Sequence, residues 1–371
     1  MDLLYASIVV LCYNGLEETT RPCLESIIAN TPLDSNELIV VDNASADGTA
    51  AYLSTFASQH SNVRIQLNDT NKGYAGGNND GIKLAKGQYI ILLNNDTLVS
   101  QGWLDKLLKL FNQQPEVGLI GPVTNSAGNE QRVELDGLNE RSFEAIADAY
   151  IERQKGIWFF TEKLGFFCVA MRGSVPEKIG YLDEKFGIGM FEDDDYCLRA
   201  RQAGFRLAVV EDCFVYHKGS VSFKKLATSD YLEIFNRNRS YFFKKHGVLW
   251  TFSDIAFGIW SKIHGDMTSL VNDDEKTAIE RMVVRTTDLS NALYQLRDSE
   301  QRQTEIEGKP FIETLLEEKQ RNLMEISDWA ANMKKELDGV SEWATSMKQE
   351  IDEMSGSRFY RLFRYLQRKG F

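Results

Sequence analysis

The feature that most constrains the fold is an alternation of short apolar runs with helix-like stretches. The apolar runs are rich in β-branched residues and occur at residues 7–11, 37–41, 63–67, 89–93 and 117–120. Between them, apolar residues recur at helical spacing. Short apolar strands separated by helices predict a parallel sheet with helices on both faces.

Three of these predicted strands end in polar residues. The clusters are Asn14, Asp42 with Asn43, and Asn94 to Asp96. Ligands of open parallel sheets bind beyond the carboxyl ends of the strands. A carboxylate such as Asp42 can accept hydrogen bonds from a base or a ribose there, although a turn or helix-cap role is the common alternative. The clusters therefore predict a ligand site at this edge.

A glycine-rich segment, NKGYAGGNND, occupies residues 71–80. Its glycines allow either a close approach of the backbone to a ligand or a sharp turn. We predict a helix from about Asn78, whose first N–H groups would be available to a phosphate. The segment matches neither a dinucleotide fingerprint nor a Walker loop, so an ordinary glycine-rich turn is the alternative.

Acidic residues supply two further candidates. Asp96 could hold Mg²⁺ or Mn²⁺ against a diphosphate, but it needs a second ligand. His217 could be that ligand through a neutral imidazole, although a structural histidine is at least as common. Four acids at residues 192–195 precede a helix-like run, where one could act as a general base. The alternative is a solvated charge cluster.

Composition excludes several classes of protein. Lys and Arg number 42 and Asp and Glu 54, so the formal net charge of -12 argues against general nucleic-acid binding. Five cysteines, an odd number without CxxC pairs, argue against a disulfide framework or a thiolate zinc site and fit a reducing compartment. We find no signal-peptide pattern and no apolar run long enough to span a bilayer.

The last third of the chain has a different pattern. From Leu323 to Met354, all ten positions of an a/d repeat are apolar, which predicts an oligomeric coiled coil or, alternatively, a helical hairpin within one chain. Residues 356–371 combine five cations with aromatic and leucine residues and no acid. This pattern predicts a helix on an anionic membrane surface. Docking on the protein's own acidic body and nucleic-acid binding are the alternatives.

Five segments in order resemble family 2 glycosyltransferases of the GT-A fold, and the pattern is most similar to the rhamnosyltransferase-like branch of bacterial surface-polysaccharide enzymes. They read SIVVLCYN, IVVDNASADGT, NKGYAGGNN, LLNNDTLVSQGWLDKL and GYLDEKFGIGMFEDDDYCLRARQAGFRLAVVEDCFVYHKGSVS. The resemblance implies an α/β fold, a Rossmann-like mixed sheet flanked by helices, followed by a C-terminal helical and coiled-coil extension. The expected regions are a catalytic domain (1–250), a helical connector (251–275), a coiled-coil region (276–355) and a membrane-binding tail (356–371).

The resemblance also implies roles for particular residues. Asp193 would be the catalytic base, with Glu192 beside it. Asp96 and His217 would bind the divalent cation, Mn²⁺ or Mg²⁺, although Asn94 replaces the first aspartate of the family's metal motif. The donor-binding residues would be Asn14, Asp42, Asn43, Lys72, Gly73, Gly77, Asn78, Asn94 and Asn95. The acceptor site would include Trp103, Phe167, Asp194 and Arg199.

The implied reaction is an inverting sugar transfer from a nucleotide-diphosphate donor to a hydroxyl of a glycan. The resemblance favours deoxythymidine-diphosphate rhamnose, then uridine-diphosphate hexoses, and a lipid-linked acceptor. We expect a homo-oligomer that is cytoplasmic and peripheral on the inner membrane of a bacterium. Two alternatives stay open: a catalytically silent scaffold, which Asn94 would suit, and a nucleotidyltransferase. The second would need a triphosphate-binding loop near the first strand, which LCYNGLEET does not offer.

Overall fold

The structure is a computed structural model that describes residues 5–133, 135–219 and 228–248, without the side chains of residues 228, 229, 231 and 232. The predicted connector, coiled-coil region and basic tail lie outside the described residues. The predictions of an oligomer and of membrane attachment therefore stay predictions.

Strands and helices alternate through the first half of the chain, as the apolar pattern predicts. The strands are β1 (Ala6–Cys12), β2 (Asn36–Asp42), β3 (Val63–Leu67), β4 (Tyr89–Asn94), β5 (Thr97–Val99), β6 (Val117–Val123), β7 (Trp158–Thr161), β8 (Cys168–Arg172) and β9 (Arg206–His217). The helices are α1 (Arg21–Asn30), α2 (Thr49–Gln59), α3 (Gly73–Leu84), α4 (Trp103–Gln113), α5 (Phe143–Arg153), α6 (Ser174–Ile179), α7 (Glu192–Gln202) and α8 (Thr228–His246). A π-helical turn, Leu16–Thr20, precedes α1, and a 3₁₀ turn, Glu184–Phe186, precedes α7.

The described strands form one mixed sheet in the order β3-β2-β1-β4-β8-β6-β9-β5, with β7 also paired to β9. β1 to β4 are parallel, β8 runs antiparallel between β4 and β6, and β9 is parallel to β6. Six strands therefore point the same way, and their carboxyl ends share one edge, where β8 begins. This mixed sheet is the architecture that the resemblance implies.

Both faces of the sheet are buried, which explains why the central strands read as continuous apolar runs. Successive side chains of a strand point to opposite faces. On one face Ile8 and Val10 of β1 lie in a core shared with α1, α2 and α4. On the other face Val9 lies in a core shared with α3, α5 and α7. The sheet is therefore a rigid platform whose open edge is available for a site.

The glycine-rich segment is a helix over most of its length, which corrects two expectations. α3 begins at Gly73 rather than near Asn78, so Asn78 lies inside the helix and offers no free N–H group for a phosphate. A Cβ at Gly77 would lie 2.3 Å from Leu11 Cδ1, and one at Gly81 would lie 2.2 Å from Val9 Cγ1. Gly77 therefore brings α3 close to β1 instead of bringing the backbone to a ligand.

The segment 206–217 is one long strand, β9; β7 pairs with its first part and β5 with its last part. No helix in the described ranges combines the length and the apolar character needed to cross a bilayer.

Candidate active site

A histidine and an aspartate meet at the carboxyl edge of the sheet. The chain leaves β4 through Asn94 and Asp96 into β5, which pairs antiparallel with the end of β9 and sets Thr97 opposite His217. Asp96 Oδ1 lies 3.2 Å from His217 Nε2, and both side chains are nearly nine-tenths buried. The two predicted metal ligands are therefore neighbours, although many residues separate them in the sequence.

The imidazole of His217 is held in one orientation. Its Nδ1 lies 2.7 Å from the carbonyl oxygen of Ser126, and its ring stacks on Phe167 with centroids 5.3 Å apart. Because a carbonyl only accepts, Nδ1 carries the hydrogen and donates it. Asn125 fixes the backbone by donating to the His217 carbonyl and accepting from its N–H. The arrangement leaves Nε2 directed at Asp96.

The pair has the chemistry of a cation site. A histidine that ligates a metal commonly donates its other N–H to a backbone carbonyl, as His217 does. The separation of 3.2 Å between Asp96 Oδ1 and His217 Nε2 is close to that of adjacent ligands about 2.1 Å from one ion. The described residues contain no cluster of three or more His, Cys, Asp or Glu suited to a metal. Asp96 and His217 fit a divalent cation that takes its other ligands from water or phosphate.

Asn94 and Asn95, between β4 and Asp96, fix the local backbone. The Asn94 N–H donates to the carbonyl of Phe167, and its own carbonyl accepts from the Thr97 hydroxyl. Asn95 Nδ2 donates to the hydroxyls of Thr19 and Thr20. Asn95 therefore fastens the turn before α1 to this edge, and its contact with the donor stays a prediction.

Asp42 and Asn14 lie side by side at the ends of β2 and β1. Asp42 is buried, and its carboxylate accepts only long hydrogen bonds, 3.3 and 3.4 Å, from the Ser45 N–H. Asn14 has a left-handed backbone (φ 54°), its N–H donates to the Ser45 hydroxyl, and its side chain accepts from the Ala46 N–H. These contacts tie the ends of β1 and β2 together.

Asn43 organises the loop that leads into α3. Its Nδ2 donates to Asn71 Oδ1 and to the Gly73 carbonyl, while its Oδ1 accepts from the Lys72 N–H and from Asn68. Both ends of its amide therefore bond within the protein, and its contact with the donor stays a prediction.

Lys72 and Gly73, the two residues that open α3, also make internal contacts. The Lys72 ammonium is partly exposed and pairs with Asp80 at 2.7 Å. Gly73 has a φ of 71°, and a Cβ there would lie 2.0 Å from the Gly187 carbonyl oxygen. The glycine therefore permits a close approach to the 186–191 loop rather than to a ligand.

The four consecutive acids open α7 and have different surroundings. Asp195 is fully buried and pairs with Arg199, Lys245 and His246 at 2.6 to 2.8 Å. Asp194 lies 3.5 Å from Lys163. These two carboxylates face cations of the protein itself, which leaves Glu192 and Asp193 for chemistry.

Asp193 has the titration behaviour of a base at neutral pH. Burial raises the pKa of Asp193 to about 7, and the charge of Asp194 adds to the shift. Burial likewise raises the pKa of Glu192 well above its usual value, with the charge of Asp193 as the next cause. Oε2 of Glu192 accepts no hydrogen bond from the described residues. Burial therefore disfavours the charged form of Glu192, and Asp193 is the acid of the pair whose pKa lies near neutrality.

Tyr74 connects α3 with the segment 164–167, which precedes β8. The Tyr74 hydroxyl donates to the Phe166 carbonyl at 2.5 Å. Burial, and then the charges of Glu192, Asp193 and Asp96 among others, raise the pKa of Tyr74. Through its bond to Phe166, Tyr74 links the start of α3 to the segment before β8, and Phe167 in that segment stacks on the His217 ring.

Three of the predicted acceptor residues are committed to the fold. Trp103 is fully buried in α4, where Nε1 donates to the Thr31 hydroxyl at 2.9 Å. Arg199 bonds to Asp195 and to the carbonyls of Ile179 and Tyr181, which stabilise α7. Phe167 is buried and supports the His217 ring. Their acceptor roles stay predictions, and the contacts above are the ones they make within the fold.

The residues that orient His217 and the segment before β8 were not predicted from the sequence. Tyr74 lay within a segment interpreted as a loop. Asn125 and Ser126 lie just after the end of β6, like the polar residues that follow β1, β2 and β4. The rule that polar residues at strand ends mark the ligand site would therefore have identified both of them.

Part of the chain is similar to a known family of proteins. The model of the family described as Glycosyl transferase family 2 matches residues 7–172. The glycosyltransferase AglE of Haloferax volcanii is 30% identical over 28% of this chain and 34% of its own length. The glycosyltransferase GlyG of Streptococcus pneumoniae is 29% identical over 42% of this chain and 51% of its own length. The poly(ribitol-phosphate) beta-glucosyltransferase of Bacillus spizizenii is 33% identical over 30% of this chain and 17% of its own length.

The chain spans about half or less of the length of these curated relatives. Among solved structures, a mannosyltransferase of Pyrobaculum calidifontis in complex with GDP-Man and Mn²⁺ is 18% identical, with a TM-score of 0.48 over 78% of this chain and 80% of that chain.

Residues 7–172, less than half of the chain, are similar to glycosyl transferase family 2. The mixed sheet, to which these residues contribute most of the parallel strands, is the arrangement expected of a GT-A fold.

Proposed function

We propose that this protein is an inverting, metal-dependent glycosyltransferase that moves a sugar from a nucleotide-diphosphate donor to a hydroxyl of a glycan. The observation that carries the proposal is the Asp96–His217 pair, 3.2 Å apart, at the same edge as Asp193 with its pKa of about 7. The family supplies the reaction class, and these residues supply its chemistry.

The donor side is proposed at the ends of β1, β2 and β4. Asp42 is buried but weakly bonded, so its carboxylate could accept hydrogen bonds from a ribose or a base. Asn14 and Asn94 lie at the ends of the neighbouring strands. Asp96 and His217 would hold a divalent cation, which supplies Lewis-acid stabilisation of the leaving diphosphate when bound.

The proposed transfer assigns the proton to Asp193. The oxygen of the acceptor hydroxyl attacks the anomeric carbon, and its proton goes to the Asp193 carboxylate. The bond between the anomeric carbon and the phosphate oxygen breaks, and its electron pair stays with the diphosphate. Attack opposite the leaving group inverts the anomeric centre. General base catalysis of this kind contributes typically about 10²–10⁴-fold.

The proposed donors and acceptor follow from the resemblance and the relatives. Deoxythymidine-diphosphate rhamnose is the first donor to test, followed by uridine-diphosphate hexoses. Relatives are named for polymer glycosylation and polysaccharide synthesis, namely the poly(ribitol-phosphate) glucosyltransferase and a poly-beta-1,6-N-acetyl-D-glucosamine synthase. We therefore propose a cell-surface glycan as acceptor, carried on a lipid and met at the cytoplasmic face of the membrane.

A donor screen with matched variants tests the proposed function. Release of nucleoside diphosphate is measured for each donor with Mn²⁺, Mg²⁺ or chelator. We expect cation-dependent turnover with one donor, a loss of about 100-fold or more in Asp193→Asn, and unchanged donor binding. Asp148→Asn, an exposed aspartate of α5, is the control. Donor binding without turnover by the wild-type protein would instead favour the silent scaffold.

A further inference from the structure

The loop that enters α7 has an unusual backbone. Two consecutive residues other than glycine, Met190 and Phe191, have φ values of 77° and 76°, and Gly187 has 76°. Such conformations cost free energy and persist only where neighbouring groups hold them. Phe191 is the residue directly before α7, so the loop sets the direction of the turn that carries Asp193.

One side chain of α8 holds this loop. Asn238 is 1% exposed, and its Nδ2 lies 2.8 Å from the Phe186 carbonyl, 2.9 Å from that of Gly189 and 3.0 Å from that of Met190. An amide nitrogen has two hydrogens, so the three carbonyls share them. Asn238 Oδ1 accepts from Arg237 Nε, which keeps Nδ2 facing the loop.

The rest of α8 supports the same contact from both sides. Phe235 and Phe242 pack on Phe191, with centroids 5.2 and 6.1 Å apart. Lys245 and His246 bind Asp195, in the first turn of α7. The loop and that turn are thus clamped by a helix that lies beyond residues 7–172, the range of the family match.

We propose that Asn238 is a positioning residue for Asp193: its amide holds the strained loop 186–191, so that the first turn of α7 presents the Asp193 carboxylate to the acceptor hydroxyl. This inference rests on the proposed function of Asp193 as the base. Asn238 itself touches neither substrate nor the reacting atoms. Its effect is on geometry, and a small displacement of a catalytic group can cost about 100-fold in rate.

The test compares Asn238→Asp with Asn236→Asp. The first change removes the donor and directs a carboxylate at three carbonyls. The second makes the same chemical change at an exposed residue of the same helix. We expect Asn238→Asp to lower kcat by about 10- to 100-fold, with a donor KM within about 2-fold of wild type. The rate is divided by the concentration of donor-binding sites, which calorimetry measures. A lower amount of folded protein therefore does not lower the kcat obtained.

Hydrogen exchange read by mass spectrometry supplies a second, substrate-free measurement. Peptides covering residues 186–196 are expected to exchange faster in Asn238→Asp, while peptides of β1 and β4 keep wild-type rates. If Asn238→Asp does not fold, Arg237→Ala removes the support of the amide from an exposed position and is expected to show a smaller change in the same direction.

Two failures are distinguishable. An active wild-type enzyme whose Asn238→Asp variant keeps kcat, or keeps wild-type exchange in residues 186–196, would overturn the positioning role alone. A wild-type protein that transfers no sugar from any donor would overturn the proposed function, and the positioning role with it.

Discussion

Asp193 has surroundings that differ from those of an ordinary surface aspartate. It lies in the first turn of α7, beside Glu192, whose pKa burial also raises, and Asp194, which pairs with Lys163. A base is most effective when its pKa lies near the working pH, and burial brings Asp193 there. Two predictions follow from this single carboxyl.

The first prediction concerns the pH dependence of turnover. Because burial raises the pKa of Asp193 to about 7, the charged form that accepts a proton is present above that pH and lost below it. The rate at saturating donor and acceptor should therefore rise from pH 5.5 to pH 8, with an apparent pKa near 7 that belongs to the Glu192–Asp193 pair. A rate that is flat over this range would contradict the assignment.

The second prediction concerns stability. Between the unfolded pKa of about 3.9 and the folded value of about 7, the native protein binds more protons than the unfolded chain. The free energy of unfolding therefore falls as the pH rises through this window. An asparagine has no charge to bury, so the free energy of unfolding of Asp193→Asn should not fall in this way. Relative to wild type it should therefore increase by ~1–3 kcal/mol between pH 5 and pH 8. Urea denaturation at both pH values measures it, and a constant difference would refute the burial argument.

At the scale of elements, α3 shows how packing overrides local preference. Its glycines lower helix propensity, so the sequence pattern places the start of the helix too late. The helix forms from Gly73 because its small residues let it lie directly on Leu11 and Val9 of β1. This contact fixes Tyr74, whose hydroxyl holds the segment before β8.

Gly81→Ala tests this packing. The added methyl would lie 2.2 Å from Val9 Cγ1, so the helix or the strand must shift. Overpacking costs ~1–3 kcal/mol, which exceeds the gain in helix propensity of at most ~1 kcal/mol. We expect a net loss in the free energy of unfolding, whereas Lys83→Ala, on the exposed face of α3, should change it by less than ~0.5 kcal/mol. A stabilised Gly81→Ala variant would show that α3 does not pack closely on β1.

At the scale of the whole molecule, the central strands could be predicted from the sequence. The short strands β7 and β8 and the contacts that bring the site residues together could not. β1, β2 and β4 are buried on both faces, so their sequences are continuous apolar runs. β7 and β8 are short and lie in a region without periodicity, so the pattern does not mark them. The Asp96–His217 contact depends on the pairing of β5 with the end of β9, which only the folded sheet creates.

The C-terminal tail gives a prediction for the whole chain. Residues 356–371 carry five cations and no acid, and each cation near an anionic surface adds about 1 kcal/mol of attraction. The full chain should therefore pellet with vesicles containing anionic lipid, and a chain ending at residue 355 should stay in the supernatant. Vesicles of neutral lipid are the control. Equal pelleting of both chains would exclude the tail as the attachment site.

The central claim is that Asp96, His217 and Asp193 surround one cation and one diphosphate. The most direct measurement is anomalous diffraction at the manganese edge from crystals grown with Mn²⁺ and deoxythymidine or uridine diphosphate. We predict one manganese peak bonded to Asp96 and His217, with diphosphate oxygens on the ion and the Asp193 carboxylate facing the same cavity. A peak at other residues, or a diphosphate bound away from Asp96, would contradict the account.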